Sequence, residues 1–478
     1  MSMPVAALPP DAKAPSAVAA DPAKSLDAGH GMAASFKSFV RWSAVVFLLR
    51  VGGTALTYVT YILLARWMGA AELGNYVFAF SACMVLSSLT TLGYPASAVR
   101  FVRQAAARDQ RNEVAGFLRR GNQLSFLASI VAMLGGFLFL WWRQGWSLEW
   151  QAMDGALAWA FVGVPLFAIL QLHSSYAQSI SQFTAAFLPS NFLRQLVLLL
   201  IVVVWQLVWG GLSASLVMLF TVAMLPFLLV GQHIYIDRGL KPLRKGATPA
   251  YRTWFWTRTS LELQLLVLFT TYFQEMSLTI AGFFLPAEDM AVYSACFRTA
   301  NLISFGLYAI NAILSPQASQ LIATGNSAGL QSLIARATQL RFWPSLIAVA
   351  VLVAGGSQIL HIFGPDFARG HLTLIILGMS QLVIAAAGPV TQILTLSGHQ
   401  TQSLLAFAIA LVATLALNAA LLPLFGMLGG AVASLLVTLI WNLWLHRIVV
   451  RHVGITPSVL SLRHCFPARK SAMPGSAS

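Results

Sequence analysis

The chain has 478 residues, of which 58% are hydrophobic and only 9% charged, and it carries a formal net charge of +15. Soluble domains carry charge on roughly a quarter of their residues, so this composition excludes a soluble protein and points to a membrane protein. The basic excess does not call for a nucleic-acid partner, because the Lys and Arg residues cluster between apolar stretches as the positive-inside rule requires.

Residues 1–34 are rich in Ala, Pro and Asp and lack the short basic and apolar regions of a signal peptide, so they read as a disordered cytoplasmic tail. Twelve apolar stretches follow, at 42–67, 74–99, 122–142, 155–178, 187–208, 211–232, 259–284, 289–314, 342–363, 372–394, 403–424 and 428–448. Most are near the roughly 20 residues that cross a hydrocarbon core of about 30 Å. With the N-terminus inside, all but five of the 29 Lys and Arg residues fall in cytoplasmic segments, Arg194 counted among them. The exceptions are Arg66, Arg143 and Arg369 outside, and Arg50 and Arg298 within spans. Both termini are therefore expected in the cytoplasm. The longest central interruption, 233–258, separates six spans from six. The predicted organisation is an N-terminal bundle at 35–232, a basic linker at 233–258, a C-terminal bundle at 259–450 and a basic tail at 451–478. Cys83, Cys296 and Cys465 have no spacing that suggests a disulfide or a metal site.

Polar residues inside the spans carry the functional signal. In the first span Arg50, Thr54, Thr57 and Tyr61 are spaced 4, 3 and 4, one face of a helix. Arg50 lies roughly 12 Å inside the border at the helical rise, where it either snorkels to the headgroups or grips phosphate or carboxylate oxygens in bidentate fashion. Arg66, nearer the outer edge, reads as a snorkelling residue. The fourth span presents Gln171, Ser174, Ser175, Gln178 and Gln182 toward its inner end, a face suited to sugar hydroxyls; His173 stands alone and reads as a packing residue. In the seventh span, Gln264, Thr271, Gln274 and Glu275 are polar, and Glu262 near the border is expected to be solvated. Glu275 precedes the outer turn by about as much as Arg298 follows it, so antiparallel neighbours would hold the two at similar depth. They would form an ion pair, or Glu275 would be a carboxylate that takes up a proton when its cavity dries, coupling protons to transport. In the eighth span Arg298, Asn301, Ser304, Tyr308, Asn311 and Ser315 follow at intervals of 3, 3, 4, 3 and 4. Facing lipid, that stripe would strand its donors and acceptors, so it looks into a watery cavity or into neighbouring helices. Gln381, Gln392 and Asn418 are candidates for cross-helix hydrogen bonds.

Four stretches carry a family likeness: LARWMGAAELGNY at 64–76, SPQAS at 315–319, IFGPDF at 362–367 and NAALLPLFGMLGGA at 418–431. The first is echoed by FLPAEDMAVY at 284–293 at a constant offset, as expected of two repeated halves. The chain resembles the polysaccharide-transporter branch of the MOP superfamily, which holds the Wzx-type O-antigen and exopolysaccharide flippases and is related to MATE drug exporters and lipid II flippases. The resemblance implies an all-α polytopic protein of the bacterial inner membrane, with two six-helix bundles around a central cavity that opens alternately to either side. It also implies outward movement of undecaprenyl-diphosphate-linked oligosaccharide, for lipopolysaccharide O-antigen or exopolysaccharide synthesis. Its partners would be that lipid-linked oligosaccharide, membrane lipids, and a glycan polymerase with a chain-length regulator. The candidate substrate-binding residues are Arg50, Thr54, Tyr61, Gln171, Gln178, Glu275, Arg298, Asn301, Tyr308 and Asn311, with Glu275 also the candidate for proton coupling.

No enzyme signature accompanies them. The chain has no Walker loop and no His-Glu-x-x-His, and it has no extramembrane domain to hold a nucleotide, so no catalytic residue, cofactor or metal is expected. Two rival readings remain: a MATE-like exporter of small cations, which would favour carboxylates in the cavity, and a non-transporting membrane scaffold, whose polar stripes would be helix contacts. Two deep arginines against one deep acid favour an anionic cargo.

Overall fold

The computed structural model describes residues 22–143, 152–397 and 400–459, with side chains described except at 22–44, 152, 305–309, 311–313 and 400–404. The chain divides into a unit at Met1–Val45 and a second at Val46–Ser478. In the first, helix begins at Pro22, within the stretch expected as a tail, in an Ala-rich segment of good helix propensity. Cys465 and the rest of 460–478 lie outside the described residues.

Nearly all described residues are helical and none is in a strand. Among the described residues, eight helices are long and apolar enough to cross a membrane. Two of them, Val45–Ala107 and Leu405–Val453, each hold a pair of predicted spans. They fold back at Gly69 (φ 78°) and Gly426 (φ 58°), where the left-handed backbone excludes most side chains. On the helix Arg111–Arg143, Leu127, Val131, Leu134, Leu138 and Trp142 are exposed along one face. Apolar stripes of that length need lipid as solvent.

Spans 7 and 8 differ from expectation. Each is broken near its middle, giving Thr253–Thr271 and Phe273–Ala281, then Ala287–Asn301 and Ser304–Ala323. At the first break, the run from Thr270 to Phe273 is β-branched and aromatic, with low helix propensity, and Tyr272 takes φ −112°, ψ 11°. At the second, Asn301 commits its side chain to neighbouring helices. Span 5 is distorted too, with a π-helix at Leu188–Leu193, containing Pro189, that leads into Arg194–Val208. Proline lacks the N–H that a regular turn would use, and π-segments mark functional sites often. Broken helices persist inside a membrane only where protein or a water-filled cavity satisfies the freed backbone groups.

In the N-terminal half, Ala152–Ser179 packs against Arg111–Arg143, Ala214–Ala223 and Leu225–Arg244; in the C-terminal half, His371–Ala387 packs against Ser327–His361 and Gln400–Val453. The halves meet toward both ends. At one end, Ser97 Oγ lies 2.6 Å from Ser260 Oγ, Tyr94 Oη 2.9 Å from Thr257 Oγ1, and Gln264 donates to the Ser88 carbonyl at 3.0 Å. At the same end Asn112 holds the linker, accepting from Thr248 N–H with its side chain and from Ala250 N–H with its carbonyl, both at 3.0 Å. At the other end the two echoed turns touch, and a Cβ on Gly74 would stand 1.7 Å from the Ala287 carbonyl oxygen. The matched Tyr76 and Tyr293 are fully buried. The acids of the two turns serve different partners: Glu72 accepts from Ala214 N–H at 2.6 Å, capping Ala214–Ala223, and Asp289 pairs with Arg369 at 2.8 Å.

This contact generates a test. Gly74→Ala should destabilise the protein by about 2 kcal/mol through overpacking, whereas Gly135→Ala, in open space on a helix, should be neutral or slightly stabilising. Thermal melting in detergent measures both; equal melting temperatures for the two variants would contradict the close approach.

Candidate functional site

The helix breaks bracket a layer of polar groups. Arg298 donates Nη2 to the Tyr61 hydroxyl at 2.6 Å, and its guanidinium lies 3.7 Å from the centre of that ring. One residue on, Thr299 Oγ1 is 3.1 Å from Tyr58 Oη. Beyond them Asn301 donates to Gln274 Oε1 and accepts from Gln381 Nε2 at 2.7 Å, while Ser304 donates to Gln381 Oε1 at 2.6 Å. Spans 7, 8 and 10 are thus stitched together by amides at the two breaks.

Arg194 belongs to this layer, contrary to its expected place among the cytoplasmic charges. Its guanidinium lies 5.4 Å from the centre of the Phe80 ring and 5.7 Å from that of Phe167, and among the described residues no carboxylate pairs with it. The chain stays helical through Pro189, Ser190 and Asn191 as a π-helix and carries Arg194 into the bundle. The available signal was position, since Arg194 is seven residues into an apolar span, about 10 Å at the helical rise. An aromatic wall joins the two arginines. Tyr61 and Tyr76 have ring centres 6.0 Å apart, and Tyr76 stacks on Phe80 at 5.9 Å.

Glu275 is the acid of the layer. It occupies the first turn of Phe273–Ala281, and Arg298 the last turn of Ala287–Asn301, so each charge sits at the helix end whose dipole favours it. Arg298 and Arg194 are the cations whose fields reach Glu275. Among the described residues it forms no ion pair. Glu275, Arg194, Arg298 and Tyr272 are all half-buried rather than sealed, as groups facing an internal space would be.

The other candidates are dispersed. Arg50 is exposed, with its guanidinium 5.4 Å from the centre of the Phe187 ring, and Thr54 returns its hydroxyl to the Arg50 carbonyl at 3.0 Å. Gln171 and Gln178 are half-buried, and Gln171 Nε2 is buried without a hydrogen-bond partner. On the same helix Ser174 accepts from Gln232 at 3.1 Å, and His173 is not alone, since its ring centre is 5.5 Å from that of His233. The side chains of Tyr308 and Asn311 lie outside the described residues. Gln392 donates to Ser315, so this pair does join two spans, whereas Asn418 donates to Thr414 in its own helix. Arg66 donates to the Ile362 carbonyl at 2.7 Å, and Glu262 makes an exposed pair with Arg258 at 3.8 Å. Among the described residues no group of three metal-ligating side chains occurs. An open depression of about 660 Å³ lies between residues 109–113 and 245–250, but none of the interior charged groups lines it.

A family model described as polysaccharide biosynthesis protein matches residues 39–322. No curated protein matches the chain. Several solved structures share its fold. An inward-facing multidrug resistance MATE family transporter of the MOP superfamily aligns with a TM-score of 0.65 at 14% identity, covering 85% of this chain and 99% of that one. The lipid II flippase MurJ, in an inward closed conformation, aligns at 0.57 with 16% identity, covering 86% and 87%. A MOP superfamily transporter from Pyrococcus furiosus, described as having a binding pocket of reverse polarity, aligns at 0.57 with 15% identity, covering 88% and 97%. At these identities the likeness is one of fold: an all-α membrane protein of two helical bundles.

The amide network has a measurable cost of loss. Asn301→Leu leaves groups on Gln274 and Gln381 unsatisfied and should destabilise by about 1–3 kcal/mol. Adding Gln381→Leu should cost less than the sum of the single changes, because the two partners leave together; melting of the four proteins in detergent decides, and strict additivity would show that the residues are not coupled.

Proposed function

Because the chain belongs to the polysaccharide biosynthesis protein family, we propose that it is a flippase that moves undecaprenyl-diphosphate-linked oligosaccharide across the bacterial inner membrane by alternating access, for O-antigen or exopolysaccharide synthesis. The observation that carries this reading is the charge balance of the polar layer: Arg298 and Arg194 are held on aromatic rings, with a single acid, Glu275, and no ion pair among them. A lone buried ion costs several kcal/mol after relaxation, and a desolvated cation–π contact returns about 2 kcal/mol. The rings, with the Tyr61 hydroxyl on Arg298 and the Ser190 carbonyl 3.4 Å from Arg194 Nε, offset part of the burial. Water, and then an anionic cargo, supplies the remainder, and guanidinium forks match the oxygens of a diphosphate. A small-cation exporter would invert this balance, and a scaffold would have no use for uncompensated charge.

In this reading no bond is made or broken, and the protein is not an enzyme. The bundles at 35–232 and 259–450 rock about the linker at 233–258, both termini face the cytoplasm, and Glu275 is the group that couples protons to transport. A glycan polymerase with its chain-length regulator would receive the product.

Two experiments test the reading. Arg298→Ala and Arg194→Ala should each reduce glycan export at least tenfold at normal membrane abundance, and Arg298→Gln combined with Glu275→Gln should not restore it. Recovery of both export and abundance in that double variant would show a structural pair and refute substrate binding by Arg298. For orientation, cysteines placed at Ala71 and Glu288 should react with an impermeant thiol reagent from outside the cell, and those at Gln110 and Gly246 should not; the reverse pattern would overturn the topology.

A further inference from the structure

Arg298 is tied across the molecule. It belongs to Ala287–Asn301 in the C-terminal half, yet its hydrogen bond and ring contact are both to Tyr61, in the N-terminal half. The same seam holds the Tyr58–Thr299 contact at 3.1 Å, the bond from Arg66 to the Ile362 carbonyl at 2.7 Å, and the touching turns at Gly74 and Ala287. Separation of the halves at the turn end must break the Arg298–Tyr61 tie.

Glu275, by contrast, moves with Arg298. Phe273–Ala281 and Ala287–Asn301 are joined by residues 282–286 into one hairpin, with the acid and the base at facing helix ends. They form no ion pair in this closed arrangement, where Tyr61 engages the guanidinium, and Arg298 Nε is buried with no partner. Arg194 has no such choice. Phe80 and Phe167, which hold it, lie in its own half.

We propose that Arg298 exchanges partners during the transport cycle: it is held by Tyr61 across the halves while the turn end is closed, and by Glu275 within its own hairpin when the turn end opens. The inference rests on the reading of an anionic cargo and deepens it. While Tyr61 holds Nη2, the Nη1 amino group of Arg298 is left for a phosphate. When the tie breaks, the carboxylate replaces the phosphate as the counter-anion, and the cargo is released on the turn side. Glu275 thus acts as an internal competitor for the arginine.

The test uses the full chain with Cys83→Ala, Cys296→Ala and Cys465→Ser, and a single reporter, Ala291→Cys. Ala291 is fully buried one helical turn beyond Ala287, at the seam. Its labelling rate with a soluble maleimide reads how often the turn end opens. Tyr61→Phe should accelerate labelling about tenfold, as expected for losing a hydrogen bond to a charged group, and Glu275→Gln should slow it about tenfold. In an Arg298→Ala background, or Arg298→Gln if that variant is poorly folded, neither substitution should have an effect. A reporter at the buried Ala160, inside the N-terminal half, detects general loosening and should stay slow throughout. Unchanged labelling in Tyr61→Phe, or effects that persist without Arg298, would overturn the exchange. These rates are measured without cargo, so their failure leaves the export reading standing, and a failure of export with the rates as predicted would count against the cargo and not the switch.

Discussion

The constraint on which this structure turns is the cost of holding charge in a medium that cannot solvate it. Coulomb energy between unit charges rises as dielectric falls, and soluble proteins usually answer with tight ion pairs. This chain answers differently at its centre. Arg298 and Glu275 rest on the favourable ends of their own half-helices, Arg298 and Arg194 rest on aromatic rings, and the three groups keep part of their surface open. In the function proposed above, these charges are the ones an anionic cargo meets. Asp289 and Arg369, by contrast, meet as a direct ion pair at 2.8 Å.

The broken helices follow from the same constraint. A continuous helix satisfies its own backbone and offers only side chains. Breaking spans 7 and 8 at Tyr272 and at Leu302 creates helix ends within the predicted spans, and their dipoles favour Glu275 and Arg298. At the breaks the backbone turns on itself, with Tyr272 N–H bonding the Leu268 carbonyl and Leu302 N–H the Thr299 carbonyl, while the amides of Gln274, Asn301 and Gln381 bond one another alongside. The π-helix ahead of Arg194 plays a related part, turning a proline-containing segment into the continuation of a span.

Much of this was legible in the sequence, and the rest failed for physical reasons. Apolar runs near 20 residues located the helices, and the Gly-containing turns located the hairpins, because a bilayer imposes length directly. The placing of Glu275 and Arg298 on adjacent antiparallel helices needed only the helical rise and a tight turn, and the two stand at the ends of neighbouring half-helices. Arg194 was missed because it was counted with the cytoplasmic charges although it stands seven residues into the fifth predicted span, where its depth was the signal. The breaks in spans 7 and 8 were missed because hydrophobicity does not register a single non-helical residue. His173 looked solitary because its neighbour His233 is on a different helix, and only tertiary packing brings their rings to 5.5 Å.

The central claim is that the interior is built for an anion carried on a lipid. The most direct measurement is binding to the purified protein of an undecaprenyl-diphosphate-linked oligosaccharide, side by side with a cationic dye, across a range of salt concentrations. The account predicts saturable binding of the lipid diphosphate that weakens as salt rises, and no binding of the dye. Tight, saturable binding of the dye with none of the lipid-linked glycan would contradict it.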